Sequence, residues 1–292
     1  MDAAELLKKV RKIEIKSKGL TNQLFAGEYH SAFKGSGMAF SEVRNYTLGD
    51  DIRKIDWNVT ARFNHPFIKV FEEERELTVM LLVDVSESGN FGTQVQLKRE
   101  LITEICAVLS FSAIQNNDKI GLIFFSDKIE KFIPPKKGKS HGLRIIRELL
   151  SFEPESKGTN LGEALKFITN AIKKKSTAFL ISDFIDQNDF NAALKIANKK
   201  HDLIALNIYD ERQNKLPNIG LVPMLDNESG KIRFIDTSSK KVRTHYEATA
   251  KKRNEEIQDQ MKRAGVDYTS VATDGSYVKA LHTLFKQRGS RR

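Results

Sequence analysis

Apolar residues recur along this chain in two rhythms, and the alternation between them predicts its architecture. Four short runs are almost wholly apolar: Thr78–Val83 (TVMLLV), Lys119–Phe125 (KIGLIFF), Thr177–Ser182 (TAFLIS) and Asp202–Tyr209 (DLIALNIY). Runs of this length, rich in Val, Ile and Phe, suit strands covered on both faces, as in a parallel sheet. Between and after them the spacing changes to the helical one. Leu97, Leu101, Ile105, Val108 and Leu109 mark a helix over 95–114, and similar patterns cover 141–151, 160–174, 187–199, 240–264 and 276–287. A short strand at Ile129–Ile133 is expected to stop at Pro134-Pro135, and Val266–Val271 reads as the closing strand.

Strands alternating with helices imply right-handed crossovers and a mostly parallel, doubly wound α/β sheet flanked by helices, Rossmann-like in outline. Alternating residues over 216–238, around Asn227-Glu228-Ser229-Gly230, predict a β-hairpin inserted in that sheet. Leu6, Leu7, Val10 and Ile13 predict a helix over 3–14. Residues 19–66, broken by Gly19, Gly27, Gly35, Gly37 and Gly49, read as short strands and turns. The expected organisation is an N-terminal extension over 1–77, one α/β domain over 78–288, and a basic tail over 289–292.

Composition narrows the class without changing this picture. With 40% apolar residues in 292 positions the chain can bury a core. One Cys excludes a disulfide framework, and neither a membrane-spanning run nor a secretory signal is visible, so a reduced, cytoplasmic setting is expected. The formal net charge of +10 first suggests nucleic acid or an anionic surface. Most of the excess lies in residues 213–292, with 16 basic and 9 acidic residues, where acids interleave with bases as in KKRNEEIQDQMKR. A solvated helix face accounts for that pattern.

Candidate chemistry gathers at the carboxyl ends of two predicted strands, where open α/β sheets bind ligands. The first strand runs into Asp84-Val85-Ser86-Glu87-Ser88, which sets a carboxylate and two hydroxyls on alternate residues. The other ends in Ser182-Asp183, and between them Thr159 follows Gly158 just before a helix. An all-oxygen set of this kind suits a small hard cation that keeps some of its waters. Thr159 could equally cap the helix that follows it, with Glu163 nearby, and Asp183 the next one.

Asp84-x-Ser86-x-Ser88, Thr159 and Asp183 resemble the metal-ion-dependent adhesion site of von Willebrand factor A domains, with 71 residues from Ser88 to Thr159 and 24 more to Asp183. The resemblance implies a divalent metal, Mg2+ with Mn2+ or Ca2+ as alternatives. The hydroxyls of Ser86, Ser88 and Thr159 would meet it directly or through water, and Asp84 and Asp183 would act largely through water. An acidic residue of a partner protein would fill the open coordination position.

Upstream, Arg44, Asp50, Asp51, Arg53, Asp56 and Arg62 lie within 19 positions around Gly49 and Trp57. Without an accompanying nucleophile they are expected to form a buried ion-pair knot rather than a catalytic group. The pattern Phe40-x-x-Val-Arg44-x-Tyr46-x-x-Gly49-Asp50-Asp51-x-Arg53-x-Ile55-Asp56-Trp57, then Ala61-Arg62, resembles the signature of domain-of-unknown-function family fifty-eight. The likeness continues through DVSES, SDF at 182–184, His201, and Tyr209-Asp210-Glu211 before Leu216-Pro217. That resemblance implies a signature-bearing segment ahead of a von Willebrand-A-like domain, and association with a MoxR-type AAA+ ATPase.

No phosphate-binding GxxxxGK[ST] loop, GxSxG elbow or HExxH pair is present. His201 is expected at the surface and Cys106 in the core. The function expected is a non-enzymatic interaction module, an adaptor between a MoxR-type AAA+ ATPase and a client protein. The alternatives are a metal-dependent phosphohydrolase, for which Glu87 and Asp186 are the nearest further acids, and a nucleic-acid binder using the basic C-terminal quarter.

Overall fold

The computed structural model describes residues 11, 13–15, 38–73, 76–90, 96–225 and 232–291. The chain divides into two compact units, residues 33–77 and residues 1–32 with 78–292.

In the larger unit six strands form one sheet. They are β3 (Thr78–Asp84), β4 (Lys119–Phe125), β5 (Ile129–Lys136), β6 (Thr177–Ser182), β7 (Asp202–Tyr209) and β10 (Asp267–Ala272), in the order β10-β7-β6-β3-β4-β5. All pairs are parallel except β4 with β5. The four apolar runs are the four central strands, and Met80, Leu81, Leu82, Phe125, Phe179 and Ile204 are sealed from water. Leaving such residues exposed would cost about 1.5–3 kcal/mol each.

Helices cover both faces. On one face α4 (Leu161–Ala171), α5 (Asn191–Lys200) and α6 (Lys240–Ala264) pack Leu165, Ile168, Leu194, Ile257 and Met261 against Met80, Leu82, Leu180 and Leu203. The helix α2 (Lys98–Gln115) is buried along most of its length, with α3 (Lys139–Ser151) beside it. Ile13, in the described part of the predicted N-terminal helix, packs against Ala107, Phe111 and Ile146 on these two. The last helix, α7 (Tyr277–Arg291), lies against β10 and runs past the predicted end at residue 287.

Two expectations are corrected here. The strand expected to stop before Pro134-Pro135 continues through both prolines to Lys136. It is the sheet edge, where a missing N–H on the outer side breaks no ladder. The hairpin forms, with β8 (Leu221–Leu225) antiparallel to β9 (Ile232–Asp236), but as a separate two-stranded sheet rather than part of the main one. Its base is tied by Thr237, whose Oγ1 donates to the Gly220 carbonyl (2.6 Å) and accepts from the Ile219 N–H (3.1 Å). The turn sequence Asn227–Gly230 lies outside the described residues.

The smaller unit pairs β1 (Met38–Asn45) antiparallel with β2 (Phe67–Glu73) and holds a helix, α1 (Trp57–Phe63), where only strands and turns were expected. Asp56 caps α1 by accepting from the N–H groups of Asn58 and Val59, and Asn64 ends it with φ 55°.

Candidate metal centre

The chain order of the strands creates the site. From β3 the chain passes to β4 and β5 on one side, then crosses to β6 on the other. The carboxyl ends of β3 and β6 therefore border the crevice left by that reversal. They carry Asp84 and Ser182-Asp183.

Asp84 is buried, and both its oxygens are engaged. Oδ1 accepts from the Ser86 N–H at 3.0 Å and Oδ2 from the Ser182 hydroxyl at 2.6 Å. The Ser86 and Ser88 hydroxyls lie 3.0 Å apart. The alternation in DxSxS thus brings both hydroxyls to one side of the loop, as the spacing predicts. Asp183 accepts at Oδ1 from the Ile185 N–H (3.2 Å) and at Oδ2 from the Lys98 ammonium (2.7 Å). Burial first, and then the nearby negative charge of Asp183, raises the pKa of Asp84 above the ordinary carboxylate range.

Thr159 is half-buried on the loop between α3 and α4. That loop meets the DxSxS loop through the Glu87 N–H, which donates to the Lys157 carbonyl (3.2 Å), and through a Lys157–Glu87 ion pair (3.3 Å). Thr159 is not the cap of α4. Asn160 is, accepting from the Glu163 N–H at 3.0 Å, and Asp186 accepts from the Leu161 N–H at 2.7 Å. Nor does Asp183 cap α5, whose N-cap position is held by Phe190.

The backbone beside the site is strained. Phe184 has φ 55°, an outlier for a bulky residue, and is held there by burial and by its N–H donating to Ser182 Oγ at 2.9 Å. Ser182 therefore links the strained residue to Asp84.

Two participants escape sequence reading. Ser182 passes for the last residue of a strand. Lys98 passes for a helix-surface lysine, yet its side chain is only 2% exposed and its partner Asp183's 3%. A signal did exist. Lys98 opens α2 behind Leu97, which has no oxygen to cap the helix, and a cation at a helix N-terminus opposes the dipole. Such a lysine needs a carboxylate partner.

The oxygens gathered here, two carboxylates and the hydroxyls of Ser86 and Ser88, suit a small hard cation in kind. Among the described residues no three His, Cys, Asp or Glu are placed to hold a metal ion together, so hydroxyls and water would complete the shell.

Among its described residues the smaller unit carries no comparable centre. Arg44 and Asp50 pair through two hydrogen bonds (2.7 and 2.8 Å), and Asp50 lies well below the usual carboxylate range, chiefly because of that guanidinium. The expected knot is not buried, however. Arg44 is 44% exposed at its side chain, and Arg53, Trp57 and Arg62 are exposed as well. Asp51 and Asp56 serve as helix caps. A two-stranded ribbon and a seven-residue helix are too little structure to enclose six charged groups.

His201 is also corrected. It is buried, with Nδ1 3.0 Å from the Ser176 hydroxyl. Cys106 lies in the core as expected, and burial pushes its thiol pKa up.

The family model described as "Protein of unknown function DUF58" matches residues 42–256. The chain belongs to the DUF58 family. Its sheet has the von Willebrand A-like architecture that the sequence resemblance implied. Among curated relatives of this DUF58 chain is the uncharacterized protein Rv1480 of Mycobacterium tuberculosis, 26% identical over 95% of this chain and 88% of that protein. The uncharacterized protein YeaD of Bacillus subtilis is 28% identical over 42% of this chain and 27% of its own length. An aerotolerance-related membrane protein from Bacteroides fragilis shares the fold, with a TM-score of 0.51, 17% identity, and coverage of 74% of this chain and 100% of its own. Among the described residues of the DUF58 chain, no helix is long and apolar enough to cross a membrane.

Proposed function

We propose that this chain is a non-enzymatic interaction module whose recognition centre is the Asp84, Ser86, Ser88, Thr159 and Asp183 cluster. The observation that carries this reading is the convergence of two buried carboxylates and two adjacent hydroxyls at the switch point of the sheet. A divalent cation held there, Mg2+ in the first instance, would supply a Lewis-acidic position for a carboxylate of another protein. The family resemblance suggests a MoxR-type AAA+ ATPase as that protein, with the chain acting as adaptor to a client.

The phosphohydrolase alternative has less support. Glu87 is exposed and paired with Lys157, and Asp186 is spent on the start of α4, so neither acid is poised as a base beside the centre. The nucleic-acid alternative is no stronger. The basic residues of α6 alternate with acids, as in Lys251–Glu255 and Lys252–Glu256 (3.9 Å each), and of the aromatics in this quarter Tyr277 and Phe285 are buried while Phe234 is exposed.

Co-purification with a MoxR-type ATPase tests the proposal. Capture in Mg2+ should fall severalfold in EDTA, and Asp84→Ala should abolish the difference. Equal capture under both conditions would sink it.

A further inference from the structure

Lys98 brings a positive charge into the same centre. Its Nζ lies 2.7 Å from Asp183 Oδ2, and the crevice at that point is bordered by Asp84, Ser88, Ser182 and Asp183 as well as by Lys98 itself. The ion pair joins positions 85 residues apart, and both side chains are almost wholly removed from water. Such a pair persists only when each partner meets the other's charge.

Charge balance decides what this lysine does. With both carboxylates ionised, Asp84, Asp183 and Lys98 leave one net negative charge in the crevice. A divalent cation added beside an unmoved ammonium would put two cations within a few ångströms of each other in a poorly hydrated space. With the ammonium withdrawn, a divalent cation balances the two carboxylates. The helix favours withdrawal, because Lys98 stands in the first turn of α2, where the N–H groups already present positive charge.

We propose that Lys98 is the centre's internal counter-cation, and that the Lys98–Asp183 pair and divalent-metal binding exclude each other. This inference rests on reading the cluster as a cation centre. The lysine holds Asp183 in the metal-free protein and gives it up when the metal enters. One carboxylate is thereby exchanged between a side-chain cation and an ionic one, and metal affinity is set partly by the strength of the ion pair.

The full-length protein tests this in two ways. With 15N-labelled lysine, a buried ammonium exchanges slowly and gives a resolved NH3+ resonance, assigned by its loss in Lys98→Met. Titrating the wild type with Mg2+ should remove that resonance in step with binding. Mn2+ titration followed by electron paramagnetic resonance should show about tenfold or tighter binding to Lys98→Met, as expected for removing one like charge a few ångströms away. The double variant Lys98→Met/Asp183→Asn takes out both charges, keeps the side-chain volumes and should not gain this affinity.

Should Lys98→Met fail to fold, Lys98→Arg, which keeps the charge but carries no NH3+ group, assigns the resonance by its loss and the wild-type titration decides. A Lys98 resonance that persists while Mg2+ binds in an Asp84-dependent manner overturns the exclusion and leaves the cation centre standing. No Mn2+ binding by either the wild type or the folded single variant overturns both the exclusion and the cation centre.

Discussion

Buried polar residues do two kinds of work in this chain. Arg288 on α7 shows the structural kind. Its guanidinium is 4% exposed and holds both Asp202 and Asp267, the first residues of β7 and β10. Arg288→Met should remove the buried cation that two half-buried carboxylates share and cost about 3 kcal/mol, read as a shift in urea midpoint. His201 carries a pH dependence. Burial, and then the charge of Lys200, lowers its pKa to about 4 from an ordinary 6.5. The fold thus accepts the neutral ring and the unfolded chain takes the proton first. The stability tied to that neutral ring is complete above pH 6.5 and is lost as pH falls toward 4, by up to about 3 kcal/mol. Urea titrations of wild type and His201→Gln across that window should converge as the pH drops. A constant gap between them would contradict this account. Neither residue's burial shows in its local sequence, since each is sealed by elements distant along the chain.

At the scale of elements, the β4–β5 edge depends on one glycine. A Cβ added at Gly121 would meet Met80 Sδ at 2.7 Å and the backbone nitrogen of Pro135 at 2.9 Å. The β4–β5 register shifts between Ile120 and Leu122, at this same point. Met80 can yield, but the edge-strand backbone cannot yield cheaply. Gly121→Ala should therefore destabilise the fold by about 1–3 kcal/mol, measured by thermal or urea unfolding. The four central strands were legible because a strand covered on both faces must be apolar throughout. The edge was less so, because what a proline does to a strand depends on which side has a neighbour. The helix α1 was missed for a different reason. Its cap, Asp56, sits inside a run of mixed charges that masks the cap signal.

For the molecule as a whole, the hairpin β8–β9 forms its own sheet and closes at its base through Thr237 and Gly220. Replacing residues 219–237 by a short Gly-Ser link should leave the six-stranded sheet folded, with a melting temperature within a few degrees of wild type. Loss of cooperative unfolding would show that the hairpin supports the sheet. The net charge of +10 belongs at this scale too. On α6 eight Lys and Arg stand among four Asp and Glu, some of them in exposed pairs such as Arg263 with Asp259 at 3.8 Å, so the excess of four bases is screened by neighbouring acids.

The sequence by itself determined the parallel α/β class, the family likeness and the five candidate residues, because buried strands and a DxSxS loop are written in contiguous residues. Only the tertiary structure decided which groups answer those carboxylates. Ser182 reaches Asp84 because β6 and β3 are neighbours, and Lys98 reaches Asp183 because the start of α2 stands beside the end of β6. Spacing along the chain carries no record of such meetings. They follow from the order in which strands pair and from the need to give every buried charge an opposite one.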